Sequence, residues 1–186
     1  TAILDLARGG DIPCFINRVM GIVENYPAPS LEVLLNSLST HDTARAITEL
    51  AGESCEGHDR NWQSQRALTL DQYDLGKRRL KLAMAVQYSL PGIPCIYYGD
   101  EAGMQGYKDP FNRGCFPWGH TDEELIGFVK SLGKWRASHP CFRKGGIRLE
   151  QKDNLLKITR QDGEDRACLW VNNTGAPQQG PFGTLE

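Results

Sequence analysis

Two short apolar runs constrain this chain more than any other feature. They are Glu32-Val33-Leu34-Leu35-Asn36-Ser37-Leu38 and Ile93-Pro94-Cys95-Ile96-Tyr97-Tyr98. Each is short, apolar and followed at once by polar residues, so each predicts a buried strand. Amphipathic segments stand before and after them. Residues 11–25 carry Phe15, Ile16, Val19, Met20 and Val23 at helical spacing, with Asp11 to cap the helix, Pro13 in its first turn and Pro27 to stop it. Thr69 and Gln72 predict a capping box for a second helix through Leu75, Leu82, Ala83, Val86 and Leu90, stopped by Pro91. Thr121 and Glu124 predict another, opening a third helix with Leu125, Phe128, Val129, Leu132 and Trp135 on its inner face and His139-Pro140 at its end. Residues 51–61, rich in Gly, Glu and Asp, read as loop.

Buried strands alternating with amphipathic helices predict βα units on a parallel sheet, an α/β fold. Such sheets are covered on both faces and normally have several strands, so two strands cannot make one alone. The remaining strands are expected outside this chain or from another copy of it. Beyond Pro140 the period becomes that of strands: residues 146–150, 155–161 and 167–171, joined by polar turns, predict an antiparallel meander. The chain opens at Thr1 rather than Met and ends Leu185-Glu186, which reads as a piece of a longer protein with a cloning remnant at 185–186.

Composition narrows the partners. Twenty-one Lys and Arg against 23 Asp and Glu leave a net charge of -2, which removes the electrostatic case for nucleic acid or an acidic membrane. No run approaches the roughly eighteen apolar residues of a bilayer span. The six cysteines include no C-x-x-C pair, which argues against structural zinc, and Cys14 and Cys95 sit in apolar segments. They are expected as buried free thiols of a cytoplasmic protein. No cluster of oxygen ligands stands at metal-binding spacing, so neither metal nor cofactor is expected.

In a βα architecture functional groups lie just past the carboxyl ends of the strands. After the first run come His41 and Asp42; after the second come Asp100 and Glu101, then Asp109 and Arg113. His41 could equally satisfy a backbone carbonyl. Adjacent carboxylates on a loop rarely converge on one bond, which favours a structural role for Asp100 and Glu101. Asp109 and Arg113 could be a salt bridge bracing the loop. Phe111, Phe116 and Trp118 could be packing residues or sugar-stacking platforms.

The motifs carry more than their spacing. The stretch Asn36-Ser37-Leu38-Ser39-Thr40-His41-Asp42-Thr43-Ala44-Arg45 resembles the fourth conserved region of the α-amylase family of glycoside hydrolases. Residues 91–104, from Pro91-Gly92-Ile93-Pro94 through Tyr98-Gly99-Asp100-Glu101, resemble that family's segment through the eighth barrel strand. Asp109-Pro110-Phe111-Asn112-Arg113 with Phe116-Pro117-Trp118 is similar to the neopullulanase, cyclomaltodextrinase and maltogenic amylase branch.

The resemblance implies a (β/α)₈ barrel whose last two strands and flanking helices fill residues 1–139, with residues 140–186 beginning an all-β sandwich domain. It implies a retaining hydrolase of α-1,4 and, in some members, α-1,6 glucosidic bonds, acting on an α-glucan or maltooligosaccharide through a carboxylate nucleophile and a carboxylic acid. Asp42 matches the third catalytic carboxylate, which binds hydroxyls of the sugar being cleaved and favours its distorted form. His41 matches the histidine on the same sugar, and Asp109 and Arg113 match residues that hold the next one. The family's nucleophile and acid lie on the fourth and fifth strands, and this sequence starts after the sixth. The chain alone is therefore expected to be inactive, and its cut sheet to self-associate. The segment between Arg45 and Asp71 is longer than usual for the branch. Two other readings stay open: a non-catalytic amylase-like protein that binds sugar or scaffolds a partner, which the intact His41 and Asp42 disfavour, and a glucosyltransferase or isomerase of the same family.

Overall fold

A computed structural model describes residues 1–181 and 183–185; Glu186 of the terminal pair lies outside the described residues. In chain order the elements are α1 (Ala2–Ala7), α2 (Ile12–Asn25), α3 (Ala28–Glu32), β1 (Leu35–Ser37), α4 (Ala46–Ala51), α5 (Arg60–Ser64), α6 (Leu70–Ser89), β2 (Ile93–Cys95), α7 (Glu123–Ser138), α8 (Cys141–Lys144), β3 (Gly146–Lys152), β4 (Leu155–Asp162), β5 (Asp165–Asn172), β6 (Gln178–Gly180) and β7 (Gly183–Leu185). The fold is α/β. Strands β1 and β2 pair in parallel with Leu35 opposite Ile93 and Ser37 opposite Cys95. Strands β3, β4 and β5 form the antiparallel meander, and β6 pairs with β7.

Helix α6 is the spine. Its capping box forms as the sequence predicts: the Gln72 amide N–H donates to Thr69 Oγ1 and the Thr69 N–H to Gln72 Oε1. Gly76 lets α4 approach, since a Cβ there would lie 2.9 Å from Ile47 Cγ1 and 3.0 Å from its carbonyl oxygen. Gln87, buried on the same helix, donates to the carbonyls of Asn36 at 2.6 Å and Cys95 at 3.1 Å, tying both parallel strands to α6. Gly92 turns the chain from α6 into β2 at φ 93°, where a side chain would strike the Leu34 carbonyl.

Three expectations need correction. The apolar runs give strands of three residues each, and α3 takes up the start of the first. Each strand has a single neighbour, and Pro94 brings no N–H to the ladder. Helix α7 is capped one residue later than predicted: Asp122 Oδ1 accepts from the Leu125 N–H at 3.0 Å. Glu124 is instead held by Lys77 and Lys81 of α6, so tertiary charge pairs override the local box. The cysteines are free, but only Cys141 is buried; Cys14, Cys115 and Cys168 are exposed. Cys14 sits in the first turn of α2 beside Phe15, whose face of the helix is the one that is buried.

One core runs from α1, α2 and α4 through α6 and α7 to Leu156, Ile158 and Val171 of the meander. Two guanidiniums clamp its far side. Arg136 of α7 donates to the carbonyls of Tyr88, Leu90, Gly92 and Phe142, and the buried Arg160 of β4 donates to those of Ser89, Cys141, Gly145 and Gly146. No carboxylate answers either in these bonds. Burial, with the neighbouring Arg136 charge, pulls Arg160 down to about 10.

Candidate functional site

The segment after β1 is a polar turn. The Thr40 N–H donates to Thr43 Oγ1 at 3.0 Å and the Asp42 N–H to Thr40 Oγ1 at 3.3 Å, so the hydroxyls that follow the strand fold the chain back on itself. Ser39 Oγ accepts from the Ala46 N–H at 2.7 Å and starts α4. His41 and Asp42 stand at the tip, with His41 Nε2 3.2 Å from Asp42 Oδ2.

The segment after β2 brings the other predicted residues to the same place. Arg113 Nε donates to Asp109 Oδ1 at 2.8 Å and to the His41 carbonyl at 3.2 Å. Its Nη2 lies 4.0 Å from Asp42 Oδ1. The structure thus gathers His41, Asp42, Asp109 and Arg113 into one cluster, with side chains 45–71% exposed. Such a group offers carboxylate acceptors, a guanidinium donor and an imidazole to the hydroxyls of a polar neutral ligand. Trp118 is 82% exposed, with Phe116 packed against it at 4.6 Å. Among the described residues no group of three or more His, Cys, Asp or Glu is arranged to hold a metal ion.

Beneath the cluster lies a buried network that the motifs did not single out. Arg45 is fully buried against the rings of Tyr97 and Tyr98, 4.2 and 4.6 Å from their centroids. It donates to the carbonyls of Tyr98 and Asn112, and pairs with Asp100 at 3.3 Å. Burial pushes Asp100 up to about 6, although Ser39 and Arg45 pull the other way. Asp100 is therefore a structural partner of Arg45, and the Glu101 carboxylate accepts the Gly99 N–H of its own turn. The signal for Arg45 was its setting, a lone guanidinium between Ala44 and the apolar Ala46-Ile47. Asn112, also fully buried, carried no signal beyond its place in the motif.

The long segment after α4 closes over this second loop. Tyr107 donates to the Glu53 carbonyl at 3.2 Å and stacks edge-on against Trp62, which lies between His58 and Arg66.

Polar groups gathered past the carboxyl ends of parallel strands, with helices outside, define a βα enzyme-type site. Residues 29–181 match the model of the alpha amylase catalytic domain, and the chain belongs to that family. It is 42% identical over 130 residues to an amylopullulanase of Thermoanaerobacter thermohydrosulfuricus, covering 70% of this chain and 8% of that protein. It is 32% identical over 156 residues to a cyclomaltodextrinase of a Bacillus species, covering 81% of this chain and 24% of the relative. Its fold matches the cyclic alpha-maltosyl-(1→6)-maltose hydrolase of Arthrobacter globiformis with a TM-score of 0.75 at 28% identity, over 92% of this chain and 35% of that one. The chain thus spans a quarter or less of the curated relatives named here.

Proposed function

We propose that the chain is the C-terminal part of a retaining α-glucan hydrolase acting on α-1,4 and α-1,6 glucosidic bonds. In this reading residues 1–139 supply the last two strands and flanking helices of a (β/α)₈ barrel. Residues 140–186 open the β-sandwich domain that follows it. The observation that carries the reading is the convergence of His41, Asp42, Asp109 and Arg113 beyond β1 and β2. The relatives' own names (amylopullulanase, cyclomaltodextrinase) support the substrate class, an α-glucan or maltooligosaccharide.

Each residue has a role in that chemistry. Asp42 binds hydroxyls of the sugar at the cleaved bond and holds them more tightly as the ring flattens toward the oxocarbenium-like transition state. His41 binds the same sugar. Asp109 accepts from hydroxyls of the next sugar while Arg113 donates to them. No carboxylate here takes the part of nucleophile or acid, so the chain alone does not turn over substrate. The six unbridged cysteines fit a reducing compartment, and we place the protein in the cytoplasm.

Purified chain incubated with maltoheptaose or pullulan should release no reducing sugar. Turnover that disappears in Asp42→Ala would overturn the inactive reading. In a full-length protein carrying this chain, Asp42→Ala should lower kcat by about 100- to 1000-fold. Unchanged kcat there would overturn the assignment of Asp42.

A further inference from the structure

We propose that Asn112 is a positioning residue for Asp42, holding the turn after β1 through three backbone carbonyls at once. The inference rests on the catalytic reading of Asp42 given above. Asn112 Nδ2 donates to the carbonyls of Thr43 at 2.7 Å, His41 at 2.8 Å and Thr40 at 3.3 Å. These carbonyls lie on both sides of Asp42: that of His41 belongs to the peptide plane entering it, and those of Thr40 and Thr43 lie one plane further out on either side. One amide group thus holds the turn that aims its carboxylate. The two N–H bonds of the amide serve three acceptors, with one hydrogen shared.

The chemistry requires an amide. Aspartate has the same shape but no donor when ionised, and would set a negative charge against three carbonyl oxygens. Asn112 Oδ1 is buried without a partner, a cost normally avoided in a protein interior. An amide whose acceptor is idle while its donor serves three carbonyls is present for the donor.

Asn112 is itself fixed in place. Its own carbonyl accepts from Arg45 Nε at 2.8 Å. The loop that carries it folds tightly back at Gly106, where a Cβ would lie 2.2 Å from the Phe111 carbonyl oxygen, and the Gly106 carbonyl accepts from the Arg45 N–H at 2.9 Å. Next in sequence, Arg113 reaches both the His41 carbonyl and Asp109. Two adjacent residues therefore set the placement of all four cluster residues relative to one another.

The first test uses the 186-residue chain. In ¹⁵N-resolved hydrogen exchange, the Asn112 side-chain amide should exchange at least about tenfold more slowly than that of the exposed Asn154. Equal rates would overturn the proposal without any variant having to fold. In the full-length protein, Asn112→Asp and Asn112→Ala should each lower kcat by about 10- to 100-fold with KM changed no more than about twofold. Amides of residues 40–43 should lose protection while those of α6 keep theirs. Folded variants with normal kcat, alongside an inactive Asp42→Ala, would overturn it. If Asp42→Ala is itself fully active, the catalytic reading fails, and the exchange of residues 40–43 decides the positioning role alone.

Discussion

A guanidinium with no exposure to water depends on its neighbours: Arg45 meets two carbonyls, two tyrosine rings and one carboxylate, while its Nη2 finds no hydrogen-bond partner among the described residues. Its partner Asp100 makes the arrangement sensitive to pH. Burial raises the folded carboxyl to about 6 from an ordinary value of 3.8. Between those values the folded chain holds more protons than the unfolded one, so stability falls as pH rises through the window. About two pKa units correspond to a cost on the order of 3 kcal/mol. Urea midpoints measured from pH 4 to pH 7 should show this decline, and Asp100→Asn should flatten it. A wild-type slope that Asp100→Asn leaves intact would place the dependence elsewhere. At this scale the exposed residues His41, Asp42, Asp109 and Arg113 were legible in the sequence as a group, because they stand in two motifs just past the two strands. The buried pair Arg45 and Asn112 was not, because their partners are mostly main-chain carbonyls, which no side-chain pattern records.

Helix α6 shows how an element's local signals and its packing can part company. Its capping box and apolar face were read from Thr69, Gln72 and the positions Leu75, Leu82, Ala83, Val86 and Leu90, to which the fold adds the buried Leu80. Gly76 was not readable as anything but a weak spot, since glycine costs about 1 kcal/mol against alanine in a helix. In the fold it is the contact point for α4. Gly76→Ala should therefore destabilise by about 1–3 kcal/mol, overpacking outweighing the gain in helix propensity. Chemical denaturation measures this directly; a stabilised variant would show that α4 can move aside. The N-terminus of α7 teaches the same lesson. Asp122 takes the cap while Lys77 pairs with both Asp122 and Glu124, and Tyr73 donates to Asp122. Burial and that carboxylate drive Tyr73 up to about 12. A capping box is a contest within four residues, and charges from another helix can decide it.

Across the whole molecule, the parallel pair is a sheet of two strands with open edges among the described residues. Val33 and Leu35 are 65 and 66% exposed and Ile93 is 47% exposed, beside strands that each have one neighbour. Apolar groups next to an open strand edge favour association. Light scattering across micromolar concentrations should find dimers or larger species, and Leu35→Lys should shift them toward monomer; a clean wild-type monomer would sink this expectation. No helix among the described residues is long and apolar enough to cross a membrane.

The sequence by itself determined the three long helices and the two parallel strands in their order, the change to a meander after Pro140, and the residues that form the polar cluster. Those follow from periodicity, capping and motif, which are properties of neighbours along the chain. The short helices α1, α3, α4, α5 and α8 and the β6–β7 pair went unread. Tertiary structure alone decided that the strands shrink to three residues, that three of the six thiols are exposed, and that Arg45, Asp100 and Asn112 hold the turn beneath Asp42. Each of these depends on contacts between segments some 55 to 70 residues apart or on the burial they create, and burial sets the cost of every unpaired polar group.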